Sequence, residues 1–411
     1  MSSDHKIVLV DKIVEGCFTL YNKLQKTGKP IDGEWTVLSC VVKLDLKTEE
    51  IEVISLGTGS KCIGATKMSP RGDIMNDSHA EVFARRGFLL YLYENIEKNL
   101  RNETSIFTKE NDQFKLKDNI EFAFYSSQLP CGDASIIPKS GEEENFGDIL
   151  QSIKHKISDK ICDTEAKKQK IESDVYRTGA KCLPYSDQDP KGPGVNYHRL
   201  GQVRTKPGRG DRTLSLSCSD KMAKWIHLGI HGGLLDMLCE PVYVKNFIFG
   251  AGVLYSEESL SRALLKRNET SLNLDVVPKF YQTSLTFCNV KNESNLRPAP
   301  GSIVWSKTSN PVSEVAVQGK KLGVTKKRSN LPSSSLCISK YNLYRRFVNI
   351  IQKNSDVQQK LFGREDISCI PYNVMKRRST RYIEKLLVVK EQFFKLWTVK
   401  PDMWHFCVDT K

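Results

Sequence analysis

The stretch Ile74-Met75-Asn76-Asp77-Ser78-His79-Ala80-Glu81-Val82 places a histidine and a glutamate two residues apart where a helical pattern begins. That pattern continues to about Asn99, so both side chains belong to the start of one long helix. Imidazole is a common zinc ligand, and a neighbouring carboxylate can transfer protons. A hydrogen-bonded core histidine and a carboxylate that caps the helix are the ordinary alternatives. The choice depends on whether the chain supplies further metal ligands.

A second metal-ligand motif is present only in part. The zinc site of nucleobase deaminases combines His-x-Glu with a later Pro-Cys-x-x-Cys. The corresponding run in this chain is Pro130-Cys131-Gly132-Asp133-Ala134, in which alanine stands in place of the second cysteine. Because a catalytic zinc normally has three protein ligands and one water, a third ligand must come from elsewhere.

Three runs in this order resemble the RNA adenosine deaminases, the family of double-stranded-RNA editing enzymes and their tRNA-acting relatives. The runs are Asn76-Asp77-Ser78-His79-Ala80-Glu81, Pro130-Cys131-Gly132-Asp133-Ala134 and Ser217-Cys218-Ser219-Asp220-Lys221. The resemblance continues through Glu240-Pro241-Val242-Tyr243 and Leu260-Ser261-Arg262-Ala263, and it covers nearly the whole chain. It implies that Cys218 supplies the missing thiolate. Without the resemblance, Cys218 would be interpreted as an inert, half-buried thiol.

The resemblance also implies one catalytic zinc and a hydrolytic reaction. The ligands are then His79, Cys131 and Cys218, and one coordination position stays open for water. Glu81 would be the acid/base, which takes a proton from that water and delivers protons to adenine N1 and to the leaving amine. Adenosine is thereby converted to inosine, and ammonia is released.

A buried polyphosphate is the second cofactor that the resemblance implies, since this family holds inositol hexakisphosphate in its core. The matching residues are Asn76, Arg85, Arg86, Lys221, Lys224, Lys340, Tyr382, Lys385 and Lys395, with Ser215 where the family has threonine. Arg86 and Lys385 support the idea independently, because each lies on an apolar stripe of its helix. The alternative is that these cations reach solvent at the edge of the core. Asp77 and Lys221 would connect the polyphosphate to the zinc, with Lys181 as a third member of this relay.

The region before Cys218 favours the tRNA-acting branch of the family. Editing enzymes of duplex RNA carry a glutamate there that fills the space of the flipped base, whereas Thr178-Gly179-Ala180-Lys181-Cys182-Leu183-Pro184 has no acid. The resemblance thus implies deamination at position 37, immediately 3′ of the anticodon, in alanine tRNA. A loop nucleotide is already unpaired, so extruding it costs little. Editing of double-stranded RNA and a catalytically inactive RNA-binding relative are the alternatives.

The formal net charge of +14 favours a polyanionic partner such as RNA. The region from Tyr185 to Thr213 is rich in Gly, Pro and cations, which predicts a long, solvated loop. The candidates for contacts with tRNA phosphates are Arg204, Lys206, Arg209 and Arg212, together with Lys61 in an earlier glycine-rich loop. For any one of these residues, a solvated loop cation without a contact to RNA is about as common as a phosphate contact. A deaminase of free nucleosides would need neither this charge nor this loop.

Cysteine usage favours an intracellular protein, in the nucleus, the cytoplasm or both. The 12 cysteines are scattered and form no paired framework, which is typical of a reducing compartment. The first residues do not resemble a signal peptide, and no apolar run reaches transmembrane length. No membrane association is therefore expected, and nothing in the sequence requires a protein partner.

The predicted fold is α/β: a cytidine-deaminase-like mixed sheet with the zinc-bearing helices on one face, elaborated by a C-terminal helical part. Val- and Ile-rich runs predict strands at residues 36–44, 50–56 and 120–126. Residues 1–411 are predicted to form a single adenosine deaminase domain. The polar, charged segment 139–173 is predicted to be a surface insertion.

Overall fold

The computed structural model describes residues 3–110, 113–139, 174–208, 210–267, 270–325, 327–328, 331–398 and 401–408. The α-helices are α1 (Ser3–Lys23), α2 (Ala80–Leu100), α3 (Cys218–Leu228), α4 (Gly233–Asp236), α5 (Glu257–Leu264), α6 (Lys340–Gln352), α7 (Ser355–Phe362), α8 (Tyr372–Arg377) and α9 (Thr380–Val388). A π-helical turn, Val389–Phe394, continues α9.

The strands vary from two to nine residues in length. They are β1 (Glu34–Trp35), β2 (Leu38–Asp45), β3 (Glu50–Thr58), β4 (Ser60–Cys62), β5 (Asp77–His79), β6 (Phe107–Glu110), β7 (Gln113–Leu116), β8 (Ile120–Ser126), β9 (Ile137–Pro138), β10 (Val175–Tyr176), β11 (Lys181–Cys182), β12 (Arg204–Thr205), β13 (Asn246–Phe249), β14 (Lys266–Arg267), β15 (Thr270–Ser271), β16 (Lys279–Gln282), β17 (Arg297–Pro298), β18 (Gly301–Ser306), β19 (Val312–Val317) and β20 (Lys320–Lys321).

An eight-stranded sheet forms the centre of the described structure, in the order β16-β13-β8-β2-β3-β18-β19-β20. The pairs that β13 makes with β8 and β16 are parallel, whereas the other neighbours in this sheet are antiparallel. The predicted mixed α/β sheet is therefore confirmed, and the predicted strands correspond to β2, β3 and β8.

The two faces of the sheet bury different helices because side chains alternate along each strand. On β2, Cys40 and Val42 pack with α1, whereas Val41 belongs to the larger core that contains α2 and α3. Both helices that carry candidate zinc ligands thus lie on one face, as expected. The C-terminal helices extend this larger core through residues such as Tyr344 and Met375.

A glycine in β3 allows α2 to approach the sheet closely. A Cβ atom at Gly57 would lie 2.4 Å from both the Ala80 carbonyl oxygen and the Ala84 amide nitrogen. Any larger residue would push the start of α2 away from β3. This contact fixes the position of the helix start at which His79 and Glu81 lie.

The predicted insertion falls mostly outside the described residues, because 140–173 are not among them. Its two described ends are adjacent: the Lys139 amide donates to the Asp174 carbonyl over 2.8 Å, and β9 pairs with β10. A surface insertion at 139–173 therefore stays a prediction. In the described part of the chain, every helix is too short or too polar to span a lipid bilayer.

Candidate active site

Three distant segments bring His79, Cys131 and Cys218 together. One ligand atom from each residue lies within 4.8 Å of the others. The Cys218 sulfur lies 3.7 Å from His79 Nδ1, and the Cys218 amide donates to the Cys131 sulfur over 3.3 Å. One imidazole and two thiolates are a donor set that zinc prefers. The residues therefore fit a zinc ion, and the geometry supports the role predicted for Cys218.

Each ligand is held by its local backbone. His79 ends β5, which pairs with β4 so that His79 lies opposite Ser60. The Ser217 side chain caps α3 by accepting from the Asp220 amide over 3.1 Å, and Cys218 is the first residue of that helix. Capping by serine stabilises a helix start by about 1 kcal/mol.

The loop that carries Cys131 approaches α3 closely because residue 132 is glycine. Gly132 has φ = 110°, and a Cβ atom there would lie 2.4 Å from the Ser217 hydroxyl oxygen. The next residue, Asp133, accepts from the Gly201 amide over 2.7 Å and from Arg262 Nε over 3.2 Å. These contacts place the Cys131 thiol against the N-terminus of α3.

The two ligand thiols differ in how readily each loses its proton. A hydrogen bond from Cys218 lowers the pKa of Cys131, whereas burial raises the pKa of Cys218. Zinc binds cysteine as the thiolate, so metal binding would release any proton that these two thiols carry.

Glu81 lies on the first turn of α2 and is 4% exposed. Its Oε2 atom is buried and makes no hydrogen bond to any residue that the structure describes. Burial raises the pKa of this carboxyl group above its usual range. A buried carboxylate with a raised pKa and an unused oxygen is suited to accept and release protons.

The predicted relay beside the zinc site uses a different lysine from the one expected. Lys206 Nζ lies 2.8 Å from Asp77 Oδ2 and 3.0 Å from the Cys218 sulfur, and its side chain is fully buried. Lys221 also contacts Asp77, as predicted. The prediction for Lys181 is wrong, because Lys181 is exposed on β11. The prediction that Lys206 contacts RNA is also wrong, because Asp77 and Cys218 provide its partners in the core.

Opposite charges stabilise each other in this cluster. Burial opposes the charge on Asp77, but Lys206 and Lys221 outweigh it and hold the pKa of that carboxyl group well below its usual range. Burial likewise opposes the charge on Lys206, yet Asp77 and Cys218 raise the pKa of the ammonium group. Lys206 therefore remains a cation beside a zinc ligand.

Arg204 is a structural residue rather than the RNA contact that the sequence predicted. Its side chain is fully buried and donates from Nη1 and Nη2 to the two Asp189 carboxylate oxygens, each over 2.7 Å. Its backbone amide donates to Asp220 Oδ2 over 3.0 Å, while Asp220 Oδ1 lies 2.7 Å from Arg267 Nη1. Arg204 and Arg267 thus fix both ends of the segment between β12 and α3.

Arg212 is exposed and Lys61 is half-buried on β4, so both remain candidates for RNA contacts. Arg209 lies outside the described residues. The segment around Arg212 is anchored rather than freely solvated, because Asp211 Oδ2 accepts from the Thr66 amide over 3.1 Å and the Arg212 carbonyl accepts from the Ala65 amide over 2.8 Å.

A cluster of cations surrounds the aromatic residues of the C-terminal helices. Arg85 and Arg86 donate from Nε to the Ile230 and Ile338 carbonyls, over 2.8 and 2.6 Å. Burial lowers the pKa of Arg86 to about 10, and its Nη2 atom is buried without a hydrogen bond to the described residues. Lys224 Nζ lies 5.7 Å from the Tyr382 ring centroid, and Lys340 Nζ lies 4.3 Å from that of Trp404.

Other predicted members of the polyphosphate site are less well placed. The Ser215 hydroxyl donates to the Asn76 carbonyl over 3.4 Å, close to the zinc relay. Lys385 is not the unpaired cation that its apolar stripe suggested, because it donates to Asp275 over 2.6 Å and to the Tyr243 hydroxyl over 3.2 Å; its role as a polyphosphate ligand stays a prediction. Lys395 is exposed beside Tyr185 and Leu396, where solvent rather than the cation cluster surrounds its charge.

Two lysines that the sequence did not single out occupy that cluster instead. Lys376 Nζ lies 5.7 Å from the Tyr372 ring centroid, and Lys390 Nζ lies 5.8 Å from that of Trp397. Burial and the charge of Lys376 lower the pKa of Lys390. The signal that indicates Lys376 is its spacing, four residues after Tyr372 on one helical turn.

Removal of either ligand thiol is expected to abolish zinc binding. Cys131→Ala and Cys218→Ala should each retain well below one zinc per chain, because two protein ligands bind a catalytic zinc weakly. Cys62→Ala is the matched control, since Cys62 lies on β4 near the site but outside the ligand group. It should keep one zinc per chain. Elemental analysis measures the metal, and full zinc in the Cys218 variant would exclude this residue as a ligand.

Comparisons with known proteins agree with this geometry. The model of the Adenosine-deaminase (editase) domain matches residues 55–401. The chain is 34% identical to the tRNA-specific adenosine deaminase 1 of Drosophila melanogaster, over 97% of this chain and 96% of the relative. The human protein of that name is 31% identical, over 96% and 99% of the two chains. The double-stranded RNA-specific editase Adar of Drosophila melanogaster is 35% identical, over 54% of this chain and 30% of that protein. The chain therefore belongs to the adenosine-deaminase (editase) domain family, as an enzyme that deaminates adenosine.

Proposed function

We propose that this enzyme deaminates adenosine to inosine in tRNA and that the reaction depends on zinc. The observation that carries the proposal is the convergence of His79, Cys131 and Cys218 beside the buried carboxyl group of Glu81. Zinc held by these three ligands would activate a water molecule for attack on C6 of adenine. The remaining chemistry belongs to the chain itself.

Glu81 moves the protons of the reaction in this proposal. Its unused Oε2 atom takes a proton from the attacking water and passes it to adenine N1. It then takes the second proton from the hydroxyl group added at C6 and delivers it to the amine, so that the C6–N bond breaks, ammonia leaves and the C6 carbonyl of inosine forms. Burial favours the protonated carboxyl group, so the residue can act as an acid once it has acted as a base. Lys206 stays charged next to Cys218 and favours the thiolate form of that ligand.

The choice of tRNA rests on the extent of similarity. Relatives named tRNA-specific adenosine deaminase 1 align over almost all of this chain, whereas the editase Adar aligns over 54% of it. The described segment 174–184 also offers no acidic side chain to replace a flipped base in a duplex, apart from Asp174, whose partner is Lys139. We therefore propose a nucleotide that is already unpaired, the adenosine 3′ of the anticodon of alanine tRNA. Duplex-RNA editing is the second candidate.

Activity assays on three classes of substrate distinguish these functions. The purified protein is incubated with tRNA, with duplex RNA and with free adenosine, and inosine is measured by mass spectrometry after digestion to nucleosides. We expect inosine in tRNA at a rate well above that in duplex RNA, and none from adenosine. A higher rate on duplex RNA than on tRNA would mean that duplex RNA is the substrate class. A protein with bound zinc but no product in any arm would be a binding relative.

Inositol hexakisphosphate is the proposed second cofactor. The fit rests on Arg86 Nη2, a buried cationic donor without a hydrogen bond to the described residues, and on the nearby cations Arg85, Lys376 and Lys390. A buried guanidinium group is stable only when an anion offsets the cost of removing it from water. A polyphosphate in this cluster would supply several such anions and would stabilise the folded chain.

Arg86→Ala is expected to lower the stability of the fold rather than the affinity for RNA, by about 3 kcal/mol, because the other cations and their anion lose a buried partner. Lys385→Ala is the control, since Lys385 is paired with Asp275 near the surface and should cost less than about 1 kcal/mol. Chemical denaturation measures both variants. Mild acid denaturation of the wild-type protein should release inositol hexakisphosphate, and soluble, active protein that releases none would exclude this cofactor.

Two cations near the site, the exposed Arg212 and the half-buried Lys61, are expected to bind tRNA phosphates. Arg212→Ala combined with Lys61→Ala should weaken tRNA binding and flatten the dependence of log Kd on log salt by roughly one unit for each phosphate that is no longer bound. Lys47→Ala, at the exposed turn after β2 and at the far end of that strand, should change neither. An unchanged salt slope in the double variant would exclude these two cations as phosphate ligands, and the basic segment 319–328 would be tested next.

A further inference from the structure

A cavity lies next to the zinc site but is not part of it. Its volume is about 410 Å³, within the range typical of small-molecule sites. Neither Glu81 nor any of the three ligands lines it. Lys206, which does, contacts the Cys218 sulfur through its ammonium group over 3.0 Å. Lys206 thus belongs both to the lining of the cavity and to the cluster beside the zinc ligands.

The walls of this cavity are held in place by buried contacts. On one side, Arg204 binds both carboxylate oxygens of Asp189, the residue that follows Gln188 in the wall. On the other side, the Thr213 hydroxyl donates to the Lys206 carbonyl over 2.6 Å. A cavity with such anchored walls is largely preformed, so little free energy is needed to order it around a ligand.

The chemistry of the lining suits a nucleotide. Lys181 and Arg212 are exposed cations on the lining, and both can bind a phosphate. Cys182 and Pro184 offer apolar surface for a base. The Gln188 amide nitrogen already donates to the Leu183 and Ser186 carbonyls, which leaves its carbonyl oxygen to accept from a base. Asp211 is the one acidic side chain among the described residues of the lining, and its Oδ2 atom accepts from the Thr66 amide over 3.1 Å.

We propose that this cavity binds the base of a nucleotide that flanks the target adenosine in the RNA loop. Proteins that recognise unpaired RNA commonly splay bases out and hold them in separate pockets. When one nucleotide enters the zinc site, its neighbour must follow the chain within a few ångströms, and this cavity is adjacent. The proposal rests on the proposed function and adds a second base-binding position to it.

The test pairs RNA changes with a protein change. The nucleotide 5′ or 3′ of the target adenosine is replaced by an abasic one in a tRNA substrate, and KM and kcat are measured. One of the two abasic substrates should raise KM about tenfold, because contacts to a single base contribute that much to binding. In Gln188→Trp, which fills the mouth of the cavity, intact and abasic substrates should have equal KM values, while zinc content and kcat stay near wild type.

Two results would overturn the proposal: neither abasic substrate differs from intact tRNA in KM, or the tenfold difference persists in Gln188→Trp. Gln188→Ala serves as a second variant if the tryptophan protein does not fold, and it should reduce the difference in KM between the intact and abasic substrates. Absence of inosine in intact tRNA would instead reject the proposed function, so the two failures are distinguishable.

Discussion

Glu81→Gln is expected to lower kcat by about 10³-fold, the middle of the range for loss of an acid/base residue. Glutamine has nearly the same shape as glutamate but cannot accept a proton. Glu81 lies outside the ligand group, so zinc content should stay at one per chain and tRNA affinity should change little. The proton would then have to come from water, which the buried position of this side chain disfavours.

Single-turnover kinetics with saturating enzyme measures this prediction, with elemental analysis and tRNA binding on the same preparation. Glu240→Gln, which alters an exposed carboxylate outside the ligand group, is the matched control and should keep wild-type kcat. If Glu81→Gln keeps full zinc and loses less than about tenfold in kcat, another residue is the acid/base.

Lys206→Met is expected to be the most damaging change among the cations of this region. It leaves the Asp77 carboxylate buried with one cation instead of two, and it removes the charge beside the Cys218 sulfur. Loss of one partner from a buried ion pair typically costs about 3–5 kcal/mol. We therefore expect a lower free energy of unfolding together with reduced zinc content and reduced activity.

Lys181→Ala is the matched control for stability, because the family resemblance implied the same relay for that lysine and the structure exposes its side chain on β11. Its free energy of unfolding should stay within about 0.5 kcal/mol of wild type. Adding Asp77→Asn to Lys206→Met should restore part of the stability, because the unpaired carboxylate is gone, but not the activity. Equal stability of the Lys206 and Lys181 variants would contradict the assigned cluster.

Residues with a local signature were predicted well from the sequence. The zinc ligands and Glu81 lie in short runs whose residue types match one chemistry, and the structure brings the three ligands together. The mixed sheet was predicted because apolar alternation directly encodes buried faces. In both cases the information needed is contained in neighbouring residues, with the exception of Cys218, which only the family resemblance assigned as a ligand.

Residues whose roles depend on distant partners were predicted poorly. Arg204 and Lys206 stand among Gly, Pro and other cations, a pattern typical of solvated loops, yet Asp189 and Asp77 pair with them in the core. Asp77 is 129 residues away from Lys206, so no local pattern could reveal the pair. The same reason explains Lys385, whose partner Asp275 lies 110 residues earlier.

The C-terminal helices themselves were predicted, but the lysines of the cation cluster within them were not, because the helical register is ambiguous there. Aromatic residues and lysines recur there at several helical spacings, so the sequence permits more than one alignment of the cation cluster. The structure places Lys376 and Lys390 close to Tyr372 and Trp397, whereas Lys385 pairs with Asp275 and Lys395 is exposed. A π-helical turn at Val389–Phe394 shifts the faces of the last helix, and sequence periodicity of 3.6 cannot anticipate that shift.

Sequencing of tRNA after incubation with the purified protein is the decisive test of the proposed activity, because inosine is read as guanosine. We predict an adenosine-to-guanosine change at the position 3′ of the anticodon of alanine tRNA, present with the wild-type protein and absent with Glu81→Gln. Treatment with a zinc chelator should abolish the change, and added zinc should restore it. Zinc-loaded, folded protein that leaves every tRNA unchanged would contradict the proposed function.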